Sequence, residues 1–300
     1  MKTIQLHKGS IELPDNWEDL SYKEKIFTFG ILSELFAGVL TPEVARLKML
    51  IEYTGYKPSV VQLIREALSK SDQREVIHFN LLKLSEQLHF AFSVEGNKIV
   101  PNYVFRTNPI PVLKLNRKIY PGRRFELDIT ARTNITAREF ADCFDLLSAQ
   151  QHLTSDADRA ECISQICAIL YPKTENYKEN MVSGHDKQMR SVFPAAKFGI
   201  IFWFTGIARF YTGHPVYGLL FKNNKKEAGT DKISLGMNEI TLTLKKEGYG
   251  DPETMSVNDW FDSQVKYLKD MIHKSIAAGV KVTELSQKSG IPIDVIHKLS

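Results

Sequence analysis

Two short stretches, "SYKE" at residues 21–24 and "TARE" at residues 136–139, carry the same helix-start signal. Each places a hydroxyl three residues before a glutamate. At that spacing the hydroxyl accepts from the third backbone N–H of a new helix, and the carboxylate reaches back to the N–H of the hydroxyl residue. Behind the first box Ile26, Phe29, Ile31, Leu32, Leu35, Phe36 and Val39 run at helical spacing. Behind the second, Phe140, Cys143, Phe144 and Leu147 lie at i, i+3, i+4 and i+7. A chain written this way is committed to helices that bury one face.

Other stretches follow the same grammar. Thr41-Pro42 restarts a helix, with threonine as cap and proline in the first turn, and the pattern stops near Tyr53-Thr54-Gly55. Helical patterns also cover residues 59–69 and 72–91, a segment carrying Ile163, Ile166, Cys167 and Leu170 that stops at Tyr171-Pro172, and an apolar run from Phe193. Ser256 caps a helix bearing Val257, Trp260, Phe261, Val265, Leu268 and Ile272, which frays at Ala277-Ala278-Gly279. Strand signals sit at the edges. "TIQLHKGSIELP" predicts a hairpin around a Lys-Gly-Ser turn, and "FSVEGNKIVPNYVF" predicts strand, Gly-Asn turn, strand. "LGMNEITLTLKKEGYGDP" fits both periods, and Gly248 as a C-cap favours helix. Residues 173–190 are polar and predict a loop.

The expected fold is mainly α: helical bundle-like domains with short N-terminal and central β-hairpins. Residues 1–105 form a mostly helical domain with edge hairpins, 106–135 an irregular basic connector, 136–279 a helical domain, and 280–300 a helix-turn-helix-like corner.

A chain of 300 residues, 43% hydrophobic and 25% charged, is ordinary for a soluble globular protein, and a net charge of +4 is too small to argue for nucleic acid. Cys143 and Cys167 fall at apolar helical positions and are expected to be buried thiols. The start "MKTIQLHKGSIELP" lacks the apolar core of a signal peptide. The apolar run at residues 198–211 falls short of the ~20 residues a membrane span needs, so a buried helix is expected there.

Catalytic patterns are weak. "SGHD" at residues 183–186 has the residue types of a nucleophile, a base and an orienting acid, but triads assemble from separate segments, so a polar loop is expected. The histidines make no metal-ligand spacing, and "EGYGDP" follows a helix instead of opening one. The acids of "DADRAE" suit a helix N-terminus better than a calcium loop. No enzyme, cofactor or metal is expected.

Binding candidates are more definite. Lys114, Arg117, Lys118, Arg123 and Arg124 form a basic run without an acid; they are candidate phosphate contacts, together with Lys288 and Lys298 near the end, but without interleaved aromatics a solvated linker or a segment packed on a neighbour is the favoured reading. Trp203, Phe210 and Tyr211 could line a groove for a partner helix, against the alternative that they are core. The ending "VTELSQKSGIPIDVIHKLS" has the packing positions of a helix-turn-helix. Thr283 is a cap candidate, Leu285 points inward, Ser286 sits at the crossing, Gly290 in the turn, Ile291 at the corner, and Ile296 and Leu299 on the inner face. The outward positions at the start of the second helix are Ile293 and Asp294, poor partners for base edges. A terminal corner in which Ile293 and Ile296 contact protein is therefore expected, with DNA readout as the alternative.

"LPDNWEDLSYKEKI" is similar to the "LPxSWxELT" opening of a family encoded by tailed phages and prophages of Bacteroides-like bacteria. "NITAREFADCFDLLSAQ" resembles that family's "nLTfgEF" helix start, "ISQICAILYP" its "LvAtLYRP" segment, and "FPAAKFGIIFWFTGI" its "lP...k.aillWF.g" run. "LGMNEITLTLKKEGYGD" and the helix of Trp260 complete the order, and the matches are collinear over residues 11–275. The resemblance implies a helical, non-enzymatic tail-assembly protein encoded near the tape-measure protein, acting as a chaperone or a tail- or virion-associated component. Its implied partners are other tail proteins, the tape-measure protein among them, with room for a homo-oligomer, little weight on DNA and none on a membrane. Its implied location is the host cytoplasm during assembly, or the virion. The corner at residues 280–300 lies outside the resemblance.

Overall fold

A computed structural model describes residues 1–6, 9–55, 80–126, 132–174, 182–221, 245–289 and 291–300. Its strands are β1 (Lys2–Leu6), β2 (Gly9–Leu13), β3 (Phe92–Glu95), β4 (Lys98–Pro101), β5 (Val112–Leu115) and β6 (Lys118–Pro121). Its helices are α1 (Tyr22–Phe36), α2 (Pro42–Thr54), α3 (Ala137–Gln150), α4 (Asp156–Leu170), α5 (His185–Met189), α6 (Pro194–Gly213), α7 (Val257–Ala277), α8 (Val282–Ser289) and α9 (Ile293–Leu299). The fold is mainly α, and the strands pair as three separate antiparallel hairpins.

Local chemistry places the helix ends where the sequence does. Ser21 and Glu24 close the capping box of α1, and Thr136 and Glu139 that of α3. Thr41 caps α2 with Pro42 behind it, and Gly55, at φ 62°, ends the helix in the left-handed conformation that glycine adopts without a Cβ penalty. Each such cap contributes on the order of 1 kcal/mol.

Several expectations are corrected. Gly9 and Ser10 belong to strand β2, since Leu6 pairs with Gly9; the loop of that hairpin, His7-Lys8, lies outside the described residues. Residues 106–135 are not an irregular connector throughout. They contain the hairpin β5–β6, which turns at Asn116 and Arg117, both left-handed at φ 48° and 63°. That is the backbone twist a two-residue hairpin loop needs. Its signal was masked because Arg takes the place of the usual glycine. The polar stretch before Arg190 holds helix α5, too short for a periodic pattern to show. Helix α8 begins at Val282, so Thr283 lies within it and does not cap it. The helix expected over 72–91 stops at residue 85 where it is described, because Phe92 opens β3. The helix expected over 59–69, the ambiguous residues 235–244, Gly290 and the side chain of Lys288 lie outside the described residues.

The chain divides into two compact units. The first comprises Met1–Ile110 and Phe193–Trp203, the opening half of α6, which the sequence assigns to the later helical domain. Its centre is Trp17, held in a short 3₁₀ turn by the reciprocal cap of Asn16 and Asp19. The indole stacks on Phe29 at 5.1 Å, meets Phe90 edge-on at 5.3 Å and touches Phe105 at 4.7 Å, while its Nε1–H donates to the Asn102 carbonyl. Phe202 closes the cluster against Tyr103 at 4.4 Å. Burial of each such ring stabilises by roughly 1.5–3 kcal/mol.

The second unit comprises Pro111–Val192 and Phe204–Ser300. Its core gathers Phe140, Phe204, Tyr211, Trp260 and Phe261, with Tyr211 stacked on Phe261 at 4.5 Å. A second cluster, Val265 and Ile272 of α7 with Leu285, Val295, Ile296 and Leu299, seats the corner α8–α9 on the later half of α7. Ser286, at the crossing, donates its hydroxyl to the Ile291 carbonyl at 2.7 Å.

Gly199 tests the packing of the first unit. A Cβ there would overlap the Phe29 ring, whereas one at Gly30 would meet only Ala195 at 3.7 Å. Gly199→Ala is expected to lower stability by about 1–3 kcal/mol, and Gly30→Ala to leave it unchanged or raise it by about 1 kcal/mol, as read by chemical denaturation.

Candidate functional site

The second unit carries a node of buried polar groups and, nearby in the same unit, an open charged cleft. The node forms because Glu139 has two tasks. Its Oε2 accepts from the Thr136 N–H at 2.9 Å, completing the cap of α3, and its Oε1 accepts from Arg123 Nε at 2.9 Å and Nη2 at 2.5 Å. The Arg123 backbone N–H donates to the Leu170 carbonyl at 2.8 Å, so the residue after β6 joins the end of α4 to the start of α3. Thr136 also forms a β-bridge with Ser256, the cap of α7, and Val257 N–H donates to the Ile135 carbonyl at 3.0 Å. Burial pushes the Glu139 carboxyl above the ordinary glutamate range, against the pull of Arg123 and the Thr136 N–H.

The cleft lies between α3, α4 and α5, with a volume of about 570 Å³. This is within the size range of ligand and peptide pockets. Asp142, Asp145, Glu161 and Asp186 face it, with Lys187 and Arg190, over an apolar floor that includes Leu146, Ala149, Ile169 and Val182. Asp142 accepts from Arg138 Nε at 3.1 Å, and Arg190 reaches Glu161 at 3.4 Å. Asp186 accepts from the Gly184 N–H at 2.8 Å and stays buried at the turn into α5. The lining thus holds four carboxylates against two cations, a surface suited to a cationic group with an apolar neighbour.

The "SGHD" residues do not converge as a catalytic set. His185 Nε2 faces the Tyr171 carbonyl at 2.8 Å, so it carries the proton, and Nδ1 faces Gln188 at 3.4 Å. Neither ring nitrogen is turned to Ser183, so His185 serves packing. The Tyr120 ring lies 5.1 Å from it, and the Tyr120 hydroxyl donates to Gln188 at 3.1 Å. Cys143 and Cys167 are buried, as expected, and burial drives the Cys143 thiol well above its usual value. Among the described residues no group of His, Cys, Asp and Glu is placed to hold a metal ion. Among them, too, no helix is long and apolar enough to cross a membrane.

The residues singled out by sequence separate into two sets. Trp203, Tyr211 and Ile296 are fully buried and build the cores, so they offer nothing to a partner. Phe210 is half-buried against Phe125. Ile293 is 43% exposed at the start of α9, with Asp294 beside it. Arg123 is buried in its ion pair with Glu139. Lys114, Arg117, Lys118 and Arg124 are exposed on and after the hairpin β5–β6, and Lys298 is exposed on α9. The cleft was missed by sequence because its acids are spread over three elements. The available signal was Asp142 and Asp145 on the polar face of α3, opposite Phe140 and Cys143. No family model matches this chain, and neither does any curated protein or solved structure.

Glu139→Gln is expected to cost about 3–5 kcal/mol, because it leaves Arg123 charged, buried and without its carboxylate. The paired change Arg123→Met with Glu139→Met should cost about 1 kcal/mol, the loss of the cap alone; denaturant titration reads both. In the corner, Ile296→Ala should cost about 2–5 kcal/mol and Ile293→Ala less than about 0.5 kcal/mol, measured by thermal unfolding.

Proposed function

We propose that this chain is a non-enzymatic phage tail-assembly chaperone or tail- or virion-associated structural protein that works through protein–protein contacts. The observation that carries this reading is where the resembling motifs fall. Leu13 and Trp17 of the "LPDNWEDL" opening are core residues. So are Phe140 of "NITAREF", Leu170 and Tyr171 of "CAILYP", Phe202 and Trp203 of "GIIFWF", and Trp260 of α7. The shared residues are therefore those that build the two units, in chain order, and a family that keeps them keeps the interior. Surface residues are then free to fit partners, as assembly proteins require.

Exposed apolar side chains supply contact material on that surface. Val39, Val104, Phe193 and Ile119 are each at least 60% exposed. The DNA-binding alternative has in its favour a corner seated on α7 as in three-helix DNA readers. Against it stand Ile293 and Asp294 at the positions that would meet bases.

Affinity purification of the tagged chain from phage-infected cells tests the proposal. The expected result is co-purification of the tape-measure protein or another tail protein, in assembling or finished particles. Recovery of the chain with no phage structural protein under low-salt conditions overturns it.

A further inference from the structure

The second unit segregates its charge. No Asp or Glu occurs between Glu95 and Glu126, and the hairpin β5–β6 projects from that acid-free stretch. Pairing of Leu113 with Tyr120 and of Lys114 with Ile119 sets two faces. Leu113 and Tyr120 are buried, and Tyr120 is fixed to α5 through Gln188. The opposite face presents Lys114 and Ile119, the latter 66% exposed, and the tip adds Arg117, while Lys118, paired with Leu115, lies on the Tyr120 face. Lys114, Arg117 and Lys118 make no ion pair among the described residues. The outward face of the prong is thus an apolar residue with Lys114 and Arg117 beside it.

The cleft between α3, α4 and α5 has the converse make-up. Its floor includes Leu146, Ala149, Ile169 and Val182, and its walls carry the four carboxylates of Asp142, Asp145, Glu161 and Asp186 against Lys187 and Arg190, an acidic excess of two. Tyr120 anchors the inward face of the prong beside α5, so the outward face cannot turn into the cleft of its own chain while that anchor holds. We infer that the prong of one copy docks in the cleft of a second copy, with Ile119 on the apolar floor and Lys114 and Arg117 against the carboxylates. An apolar centre inside a charged rim is the usual anatomy of a specific interface. The contact is head-to-tail, because prong and cleft are different surfaces, so each copy keeps one of each for further neighbours. A nucleic acid is the less suitable occupant: the outward face holds Ile119 where a stacking aromatic would serve, and Tyr120 points inward. The inference stands on this unit alone and does not depend on the phage reading.

Analytical ultracentrifugation of the full chain tests it with a charge swap. At about 50 mM salt the chain should form concentration-dependent oligomers that dissociate at about 500 mM. Lys114→Glu with Arg117→Glu should weaken association by at least about tenfold, and Asp145→Lys with Glu161→Lys should do the same. Mixing the two variants should restore it, since the reversed prong meets the reversed cleft. Matching circular dichroism and thermal melts keep a folding defect from imitating the loss. A monomer at every concentration overturns the inference, and so does association that survives both reversals or fails to return on mixing. So does binding of single-stranded DNA that requires Lys114 and Arg117 in a chain that stays monomeric.

Discussion

The Arg123–Glu139 pair ties the segment that follows β6 to the packed helices α3 and α4 of the second unit. Both side chains are almost wholly buried, where an unpaired charge is costly. Neither can leave without exposing the other to that cost, so the end of β6, the last turn of α4 and the first turn of α3 are constrained as one. The same carboxylate serves the helix cap, which removes its freedom to drift. Contacts of the prong and the cleft inherit this constraint, since the prong hangs from Arg123 on one side and α3 supplies two of the cleft acids on the other.

The parts of the fold that could be read from sequence are those set by neighbours along the chain. The boxes at Ser21 and Thr136, the proline start of α2 and the glycine stop at Gly55 are local chemistry, and they stand where the pattern puts them. What could not be read depends on partners far away. Arg123 looks like one cation in a basic run, and only Glu139 makes it a core residue. From sequence the helix of Trp203 and Tyr211 is expected to be buried, with a groove as the alternative, and Phe140 and Phe261 packed on Tyr211 make it core. The β5–β6 turn was missed because Asn116 and Arg117 adopt positive φ without glycine. The acids of the cleft become neighbours only when α3, α4 and α5 pack.

The motifs that suggest a phage assembly family and the surfaces that suggest contact are different residues of the same chain. The three tryptophans, Trp17, Trp203 and Trp260, are spent on the interior, which leaves recognition to charge, to Phe193 and to scattered aliphatic groups. Interfaces of this kind gain specificity and speed of encounter from electrostatics more than depth of affinity. They suit an assembly factor that must engage and release.

The β-bridge between Thr136 and Ser256 has a consequence for how the chain is made. Two helices, α3 and α7, begin at one point although about 120 residues separate their first turns along the chain, a long closure that slows folding. During synthesis α3 emerges early, and its first turn then lacks the Met255 carbonyl that accepts from Ala137. The second unit cannot finish until Ser256 has left the ribosome. Until then Phe140 lacks Trp260 and Phe261, and the nascent chain carries an open apolar seam while the roughly 120 residues between the two helices are made.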